Sequence, residues 1–261
     1  MELREINELK KSLLNLVTDQ NLVQLKELLK NQYSIDIASA LSDFEDADLT
    51  VLLDLLDSDD IASIIEESDN ELQIRIVGLL DSSKTAQVFS HMSTDDIADI
   101  LGTLSINRRK ELLELMREHD ASEIQMLLGF EPNTAGGIMT THYIALRKNL
   151  TIKEALQKIK VIGPKTEVIE TIFIINLKNE LIGTTDLRDI LIASDESKLE
   201  DITNKNVIFV YPDTDQEEVS LIVSKYDLKA LPVVNKKHSI LGIITVDDVI
   251  DVIVEEPVFV N

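Results

Sequence analysis

Ile240-Leu-Gly-Ile-Ile-Thr245 echoes Leu181-Ile-Gly-Thr-Thr185, and this pairing decides how the second half of the chain folds. Both stretches are short and β-branched, and both run into a segment of helical pattern. Ahead of them stand Leu231-Pro-Val-Val-Asn235 and Thr171-Ile-Phe-Ile-Ile-Asn176, strand-like runs closed by a turn residue. The blocks superpose with Gly183 on Gly242, Asp189 on Asp248 and Ile190 on Val249. Further upstream Glu154-Ala155 matches Glu218-Val219, so the first copy is five residues longer between those points. The pattern is a tandem β-α-β-β-α repeat of about sixty residues per copy.

Before this repeat the period changes. Gly129-Phe-Glu-Pro-Asn-Thr-Ala-Gly-Gly137 is the Gly/Pro-rich stretch of the 261-residue chain, and the linker is expected there, at 132–137. Residues 1–131 read as short helices. Between Asp95 and Leu104 the apolar residues Ile97, Ile100, Leu101 and Leu104 follow the spacing of one buried helical face. Segments 46–56, 59–67, 71–80, 84–91 and 108–118 have the same character. Ser58-Asp-Asp-Ile-Ala-Ser-Ile-Ile65 returns 36 residues later as Thr94-Asp-Asp-Ile-Ala-Asp-Ile-Leu101, which predicts a small α-solenoid.

Charge separates the halves further. Residues 1–131 carry 28 acids and 11 bases, whereas residues 132–261 carry 20 and 14, for a net of −23 overall. From Asn31 through Ile74 there are thirteen acids and no Lys or Arg. Such a field opposes bare nucleic acid and anionic lipid. Cys and Trp are absent and aromatics are 4%, which removes thiolate metal sites and leaves little for base or sugar stacking. No 18-residue apolar run or signal-peptide pattern appears, so a soluble intracellular segment is expected. Catalytic signatures are missing too: there is no Gly-x-Ser-x-Gly, no His-Glu-x-x-His and no base beside a nucleophile, so no enzyme is expected.

The tandem repeat resembles a pair of CBS domains. With an acidic helical domain before it, Thr134-Ala-Gly-Gly-Ile-Met-Thr140 at the join, Tyr211-Pro-Asp-Thr-Asp-Gln-Glu-Glu-Val219, and Gly242-Ile-Ile-Thr-Val-Asp-Asp-Val-Ile-Asp251 at the end, the whole chain resembles the cytosolic part of an MgtE-family magnesium transporter. The resemblance implies a right-handed-type α-helical solenoid at 1–131, CBS domain 1 at 138–200, and CBS domain 2 at 201–261. The last would include the start of a connection to a membrane domain absent from this chain. It also implies a homodimer through the CBS domains, at the cytoplasmic face of the cell membrane.

The densest acids close the chain. If 246–254 is helical, Asp247, Asp251 and Glu255 share a stripe with Asp248 beside them, opposite Val249, Ile250 and Ile253. Each i,i+4 pair of like charges costs roughly 0.2–0.5 kcal/mol, which a divalent cation reverses. The helix dipole accounts for Asp247 and Asp248 alone. Asp215, Glu217 and Glu218 read as acids of a helix start. Through the resemblance, Asp215, Glu217, Asp227, Asp248, Asp251 and Glu256 match positions where similar transporters place cation-binding carboxylates. Asp95 and Asp99 match the pair with which relatives bridge the helical domain to the CBS domain through magnesium. Their plain reading is a solvated face behind a Thr94 N-cap. Asp59 and Asp60 hold the corresponding turn of the other copy, where Ser63 replaces the second acid.

The donors are oxygens, which suit magnesium, calcium or manganese. No EF-hand loop is present, and His91, His119, His142 and His238 are scattered. The CBS resemblance also implies a nucleotide cleft at Gly242-Ile-Ile-Thr245-Val-Asp-Asp248, where Thr245 and Asp248 would meet ATP or another adenine nucleotide. In the first copy Asp186 stands where the hydroxyl is expected, so at most one good site is predicted. Asp248 belongs to both readings. The expected function is a cytosolic Mg2+-sensing domain that closes on Mg2+ between acidic surfaces to gate a pore; the alternative is an adenine-nucleotide-binding CBS module.

Overall fold

The structure, a computed structural model, describes residues 3–255, with the backbone alone for 3, 4, 165 and 251–255. It divides into two compact units, Met1–Ser122 and Glu123–Asn261.

The first unit is built on a twelve-residue rhythm. Its helices are α1 (Leu3–Thr18), α2 (Leu22–Lys30), α3 (Ser34–Leu41), α4 (Asp46–Leu55), α5 (Ser58–Glu66), α6 (Asn70–Leu79), α7 (Ser82–Phe89), α8 (Thr94–Thr103) and α9 (Ile106–Leu115). α10 (Glu118–Leu127) follows. The residues before α2 to α9 are Asn21, Tyr33, Glu45, Asp57, Asp69, Asp81, Ser93 and Ser105, so a new helix starts every 12 residues. Five of these residues cap with their side chains: Asn21, Asp69, Asp81, Ser93 and Ser105 each accept a backbone N–H of the first turn. Such a cap stabilises a helix by about 1 kcal/mol.

Alternate helices pack together. α1 lies on α3, α3 on α5, α5 on α7 and α7 on α9, while α4 lies on α6 and α6 on α8. Two rows of short helices make an α-solenoid. Ile61, Ile65, Leu72, Ile76, Phe89, Ile97 and Leu101 are among the buried side chains that join them. The 36-residue echo spans three twelve-residue steps, so its members, α5 and α8, stand in different rows.

Cations close the carboxyl ends of these helices. Arg75 donates to the carbonyls of Ser42 and Phe44 at 2.9 and 2.6 Å. Lys84 reaches the Leu56 carbonyl, Arg108 that of Leu80, and Arg109 those of Leu101 and Gly102. Each engages carbonyls that a helix leaves open at its end.

In the second unit β1 (Ala145–Arg147), α11 (Ile152–Ile162), β2 (Thr171–Ile175), β3 (Leu181–Asp186) and α12 (Leu187–Ile192) form the first copy. α13 (Gln216–Tyr226), β4 (Ala230–Val234), β5 (Ile240–Thr245) and α14 (Val246–Glu255) form the second. β1 pairs parallel with β2, and β2 antiparallel with β3. In the second copy β1 shrinks to one parallel bridge, Val210 to Val233, beside the antiparallel β4–β5 pair.

The copies agree in detail. Thr171 faces Asp186 as Ala230 faces Thr245, a displacement of 59 residues that holds through every pair, including the irregularity after Ile174 and Val233. Asn176 and Asn235 close the two hairpins identically, each side chain accepting two backbone N–H groups. The helices are displaced by 64 residues, Thr151 capping α11 and Asp215 capping α13. The five extra residues therefore lie between α11 and β2, where Gly163–Lys165 adds a 3-10 turn.

Each copy is clasped by the chain that enters the other. Thr184 of β3 bridges Asn204, and Ile243 of β5 bridges Thr140. Both crossings pass over a glycine: a Cβ on Gly183 would stand 2.7 Å from the Asn204 carbonyl oxygen, and one on Gly242 2.6 Å from that of Thr140. Gly242→Ala is therefore expected to lower the unfolding free energy by roughly 1–3 kcal/mol in urea titrations.

Candidate functional site

In the first unit the acids gather where α5 ends and α8 begins. Ser93, not Thr94, caps α8; its hydroxyl donates to Asp96 at 2.7 Å and accepts the Asp96 N–H. Asp95 is half-buried in this first turn and Asp99 is exposed one turn later. Glu66, the last residue of α5, lies within the field of Asp96 and Asp95. More than a third of its surface meets solvent, yet its carboxyl is pushed up to about 7. Burial is the main cause and the charge of Asp96 the next, with smaller pushes from Glu67 and Asp95 against a backbone hydrogen bond from Ser93. Sequence reasoning did not single out Glu66. Its place at the carboxyl end of a helix, with no base nearby in sequence, was the available signal. In the other member of the echo, Asp59 instead pairs with His91 at 3.3 Å.

The second unit spreads its expected acids apart. Asp215 is exposed and accepts the Glu217 N–H at 2.8 Å as the N-cap of α13, and Glu217 is exposed in the same turn. Asp227 ends that helix in the left-handed conformation, φ 50°. One α-helical rise separates the two ends by about 18 Å, so Asp215 and Asp227 of one chain do not share an ion. Thr245 is tied into the start of α14: its N–H and hydroxyl both donate to Asp248, at 2.8 and 2.7 Å, and its hydroxyl also approaches Asp247. The side chains of Asp251 and Glu255, and all of Glu256, lie outside the described residues. Among the described residues no three of the expected acids bring ligand atoms within 4.8 Å of one another. Magnesium, which retains waters, needs only one or two carboxylates directly.

A cavity of about 340 Å³ opens in the second unit, at the first copy. Thr171, Thr184, Thr185, Asp186 and Asp189 form one wall, and Asn204, Asn206, Val207 and Ile208 another. The segment from Asp227 to Ala230, with Pro232, completes it. Thr245 and Asp248, the expected nucleotide residues, do not line it.

The repeat explains why this copy is open. Under the 59-residue displacement Thr171, Thr184 and Pro232 correspond to Ala230, Ile243 and Phe173, and these three form one buried apolar cluster. Tyr143 packs on that cluster, its ring edge-on to Phe173 at 6.1 Å, and burial pushes its hydroxyl up to about 12. The place is filled by an aromatic pair in one copy and walled by threonines in the other.

The acids differ in the same sense. Asp248 is drawn back onto Thr245, whereas its counterpart Asp189 is exposed and forms no side-chain hydrogen bond or ion pair among the described residues. Asp186 cannot supply the hydroxyl that Thr245 supplies, and caps α12 through the Arg188 N–H at 2.8 Å. The Thr185 hydroxyl, fully buried beside the cavity, has no hydrogen-bond partner among the described residues. A buried hydroxyl left so is costly, and a ligand atom would satisfy it.

Comparison with known proteins decides the family. Residues 32–133 match the MgtE intracellular N domain, and residues 135–196 and 199–255 each match a CBS domain. The fold is similar to a crystal structure of the soluble part of a magnesium transporter, with a TM-score of 0.86 and 30% identity over 96% of this chain and 98% of that one. The chain belongs to the MgtE family.

Within that family, a structure of the cytosolic domain of the Mg2+ channel MgtE in complex with ATP is as similar, with a TM-score of 0.87 and 30% identity over 93% of this chain and 99% of that one. Magnesium transporter MgtE of Thermus thermophilus is 37% identical over 143 residues, and that of Enterococcus faecalis 39% over 137. These alignments cover 55% and 52% of this chain but only 32% and 30% of the relatives. The MgtE relatives are transporters and not enzymes. Among the described residues no helix is long and apolar enough to cross a membrane.

The carboxyl of Glu66 ties stability to pH. Its raised value means that the folded state holds the proton more tightly between about 4.5 and about 7, and this contribution is lost as pH rises through that window. Glu66→Gln should therefore gain stability relative to the parent at pH 8 and not at pH 4.5, read from urea unfolding at both.

Proposed function

We propose that this MgtE-family region senses cytosolic Mg2+ and regulates a magnesium-conducting pore carried by a membrane domain of the same polypeptide. The observation that carries the reading is the gathering of Glu66, Glu67, Asp95 and Asp96 where α5 ends and α8 begins, where burial first and the neighbouring carboxylates next push the Glu66 carboxyl up to about 7. The relatives' names as magnesium transporters support it. Asp95 and Asp99 are the ligands proposed in the helical unit. In the CBS unit they are Asp215, Glu217, Asp227, Asp247 and Asp248, with Asp251, Glu255 and Glu256. With no ion bound, like charge disfavours the approach of the two acidic units. Bound Mg2+ removes that cost, and the closed arrangement biases the connection to the pore toward the shut state.

The assembly is a homodimer through the CBS domains, at the cytoplasmic face of the membrane. Leu191, Ile192, Leu221 and Ile250, exposed on α12, α13 and α14, support an apolar contact with a second copy. A second reading, which can hold together with the first, is adenine-nucleotide binding in the first-copy cavity. The buried Thr185 hydroxyl and the exposed Asp189 favour it, as does the ATP complex of a relative.

Small-angle scattering across a magnesium series, with potassium at matched ionic strength, tests the sensor. Compaction with magnesium alone is expected. Asp95→Asn with Asp99→Asn should raise its midpoint by roughly tenfold, about 1.4 kcal/mol of lost ion binding. Equal compaction by potassium would reduce the effect to screening and remove the proposal.

A further inference from the structure

We propose that residues 140–143 and 166–168 form a tethered lid over the second copy, with Tyr143 as its plug and Glu167 as its fastener. The two copies are entered in the same way and finished differently. Thr140 crosses β5 as Asn204 crosses β3. Each accepts on its side chain the backbone N–H two residues on, from His142 at 3.3 Å and from Asn206 at 3.0 Å. The third residue past the crossing then reaches the inner face. At the first copy it is Val207, which lines the open cavity. At the second it is Tyr143, which packs with Val168 on Phe173, Ala230 and Ile243.

The tether comes from the insertion. The connection from α11 to β2 runs over residues 163–170, whereas that from α13 to β4 takes only 227–229. From the longer one Glu167 engages the lid at three points. Its carboxylate accepts the hydroxyl of the fully buried Thr140 at 2.6 Å and lies 3.9 Å from His142 Nδ1. Its N–H donates to the His142 carbonyl at 3.3 Å. A hydrogen bond to a carboxylate is the stronger kind, and more so where water is shut out. Tyr143 is held at its far end as well, its hydroxyl donating to the Ile240 carbonyl at 3.4 Å. The lid is also tied to α10, where Thr141 donates to Glu123 at 3.4 Å, so a displacement of that helix is felt at the lid. Release of Glu167 frees Tyr143 and Val168 together, and opens on the second copy the counterpart of the first-copy cavity.

Nitration by tetranitromethane, mapped by peptide mass spectrometry, reads the plug directly. The chain's other three tyrosines, Tyr33, Tyr211 and Tyr226, are exposed and serve as internal standards. In the unaltered chain Tyr143 should react far more slowly than those three. Glu167→Ala should raise its rate roughly tenfold, the scale of one lost hydrogen bond to a charged group, and leave the others unchanged. Glu167→Gln keeps an acceptor oxygen for Thr140 and should restore most of the protection. Thr140→Val removes the donor from the same bond and should match Glu167→Ala. It decides the matter should Glu167→Ala loosen the whole unit and raise all four rates together. Tyr143 as reactive as the exposed three in the unaltered chain, or as protected with Thr140→Val as without it, would overturn the lid.

Discussion

Carboxylates outnumber cations in this chain, and several cations of the helical unit are engaged at helix ends. Arg75, Lys84, Arg108 and Arg109 close the carboxyl ends of helices, bonds that a solenoid of helices about ten residues long cannot spare. Lys26 is held by Asp57 at 2.6 Å. At the junction of α5 and α8, burial and the neighbouring carboxylates favour a proton on Glu66.

The CBS unit works from the opposite starting point, a duplicated motif whose backbone is nearly identical in both copies. Matching hairpins, matching asparagine turns and matching glycine crossings fix the frame. Function can then differ through side chains alone. Phe173, Ala230 and Ile243 fill one inner face with apolar volume, whereas Pro232, Thr171 and Thr184 leave the other open and polar. Differentiation of duplicated halves by a few inward positions needs no change of fold.

Much of this was legible in the residues. The 59-residue echo of β-branched runs placed the strands, because register and turn chemistry act over a few neighbours. From α4 to α9 every helix is legible to within about three residues at each end, because each short helix carries its own apolar stripe. The twelve-residue period escaped notice, since Tyr33, Glu45 and Asp57 occupy cap positions without forming side-chain caps. The cavity was less legible. Sequence matching favoured Thr245 and Asp248 because they fit the motif better, but their fit is met by bonds to each other. Filling of the second copy depends on Tyr143, which reaches the cluster from a segment outside the aligned strands. Long-range filling of this kind has no local signature.

Belonging to the MgtE family gives these features a shared setting, one in which the cytosolic domain of a relative is seen in complex with ATP. The proposed role of magnesium is to balance the carboxylate charge where α5 meets α8. Hydrogen exchange read by mass spectrometry, with millimolar magnesium against potassium at matched ionic strength, examines that place directly. Slower exchange in 58–66 and 93–103 is expected with magnesium alone. Equal slowing in potassium, or magnesium protection that leaves both segments unchanged, would contradict it.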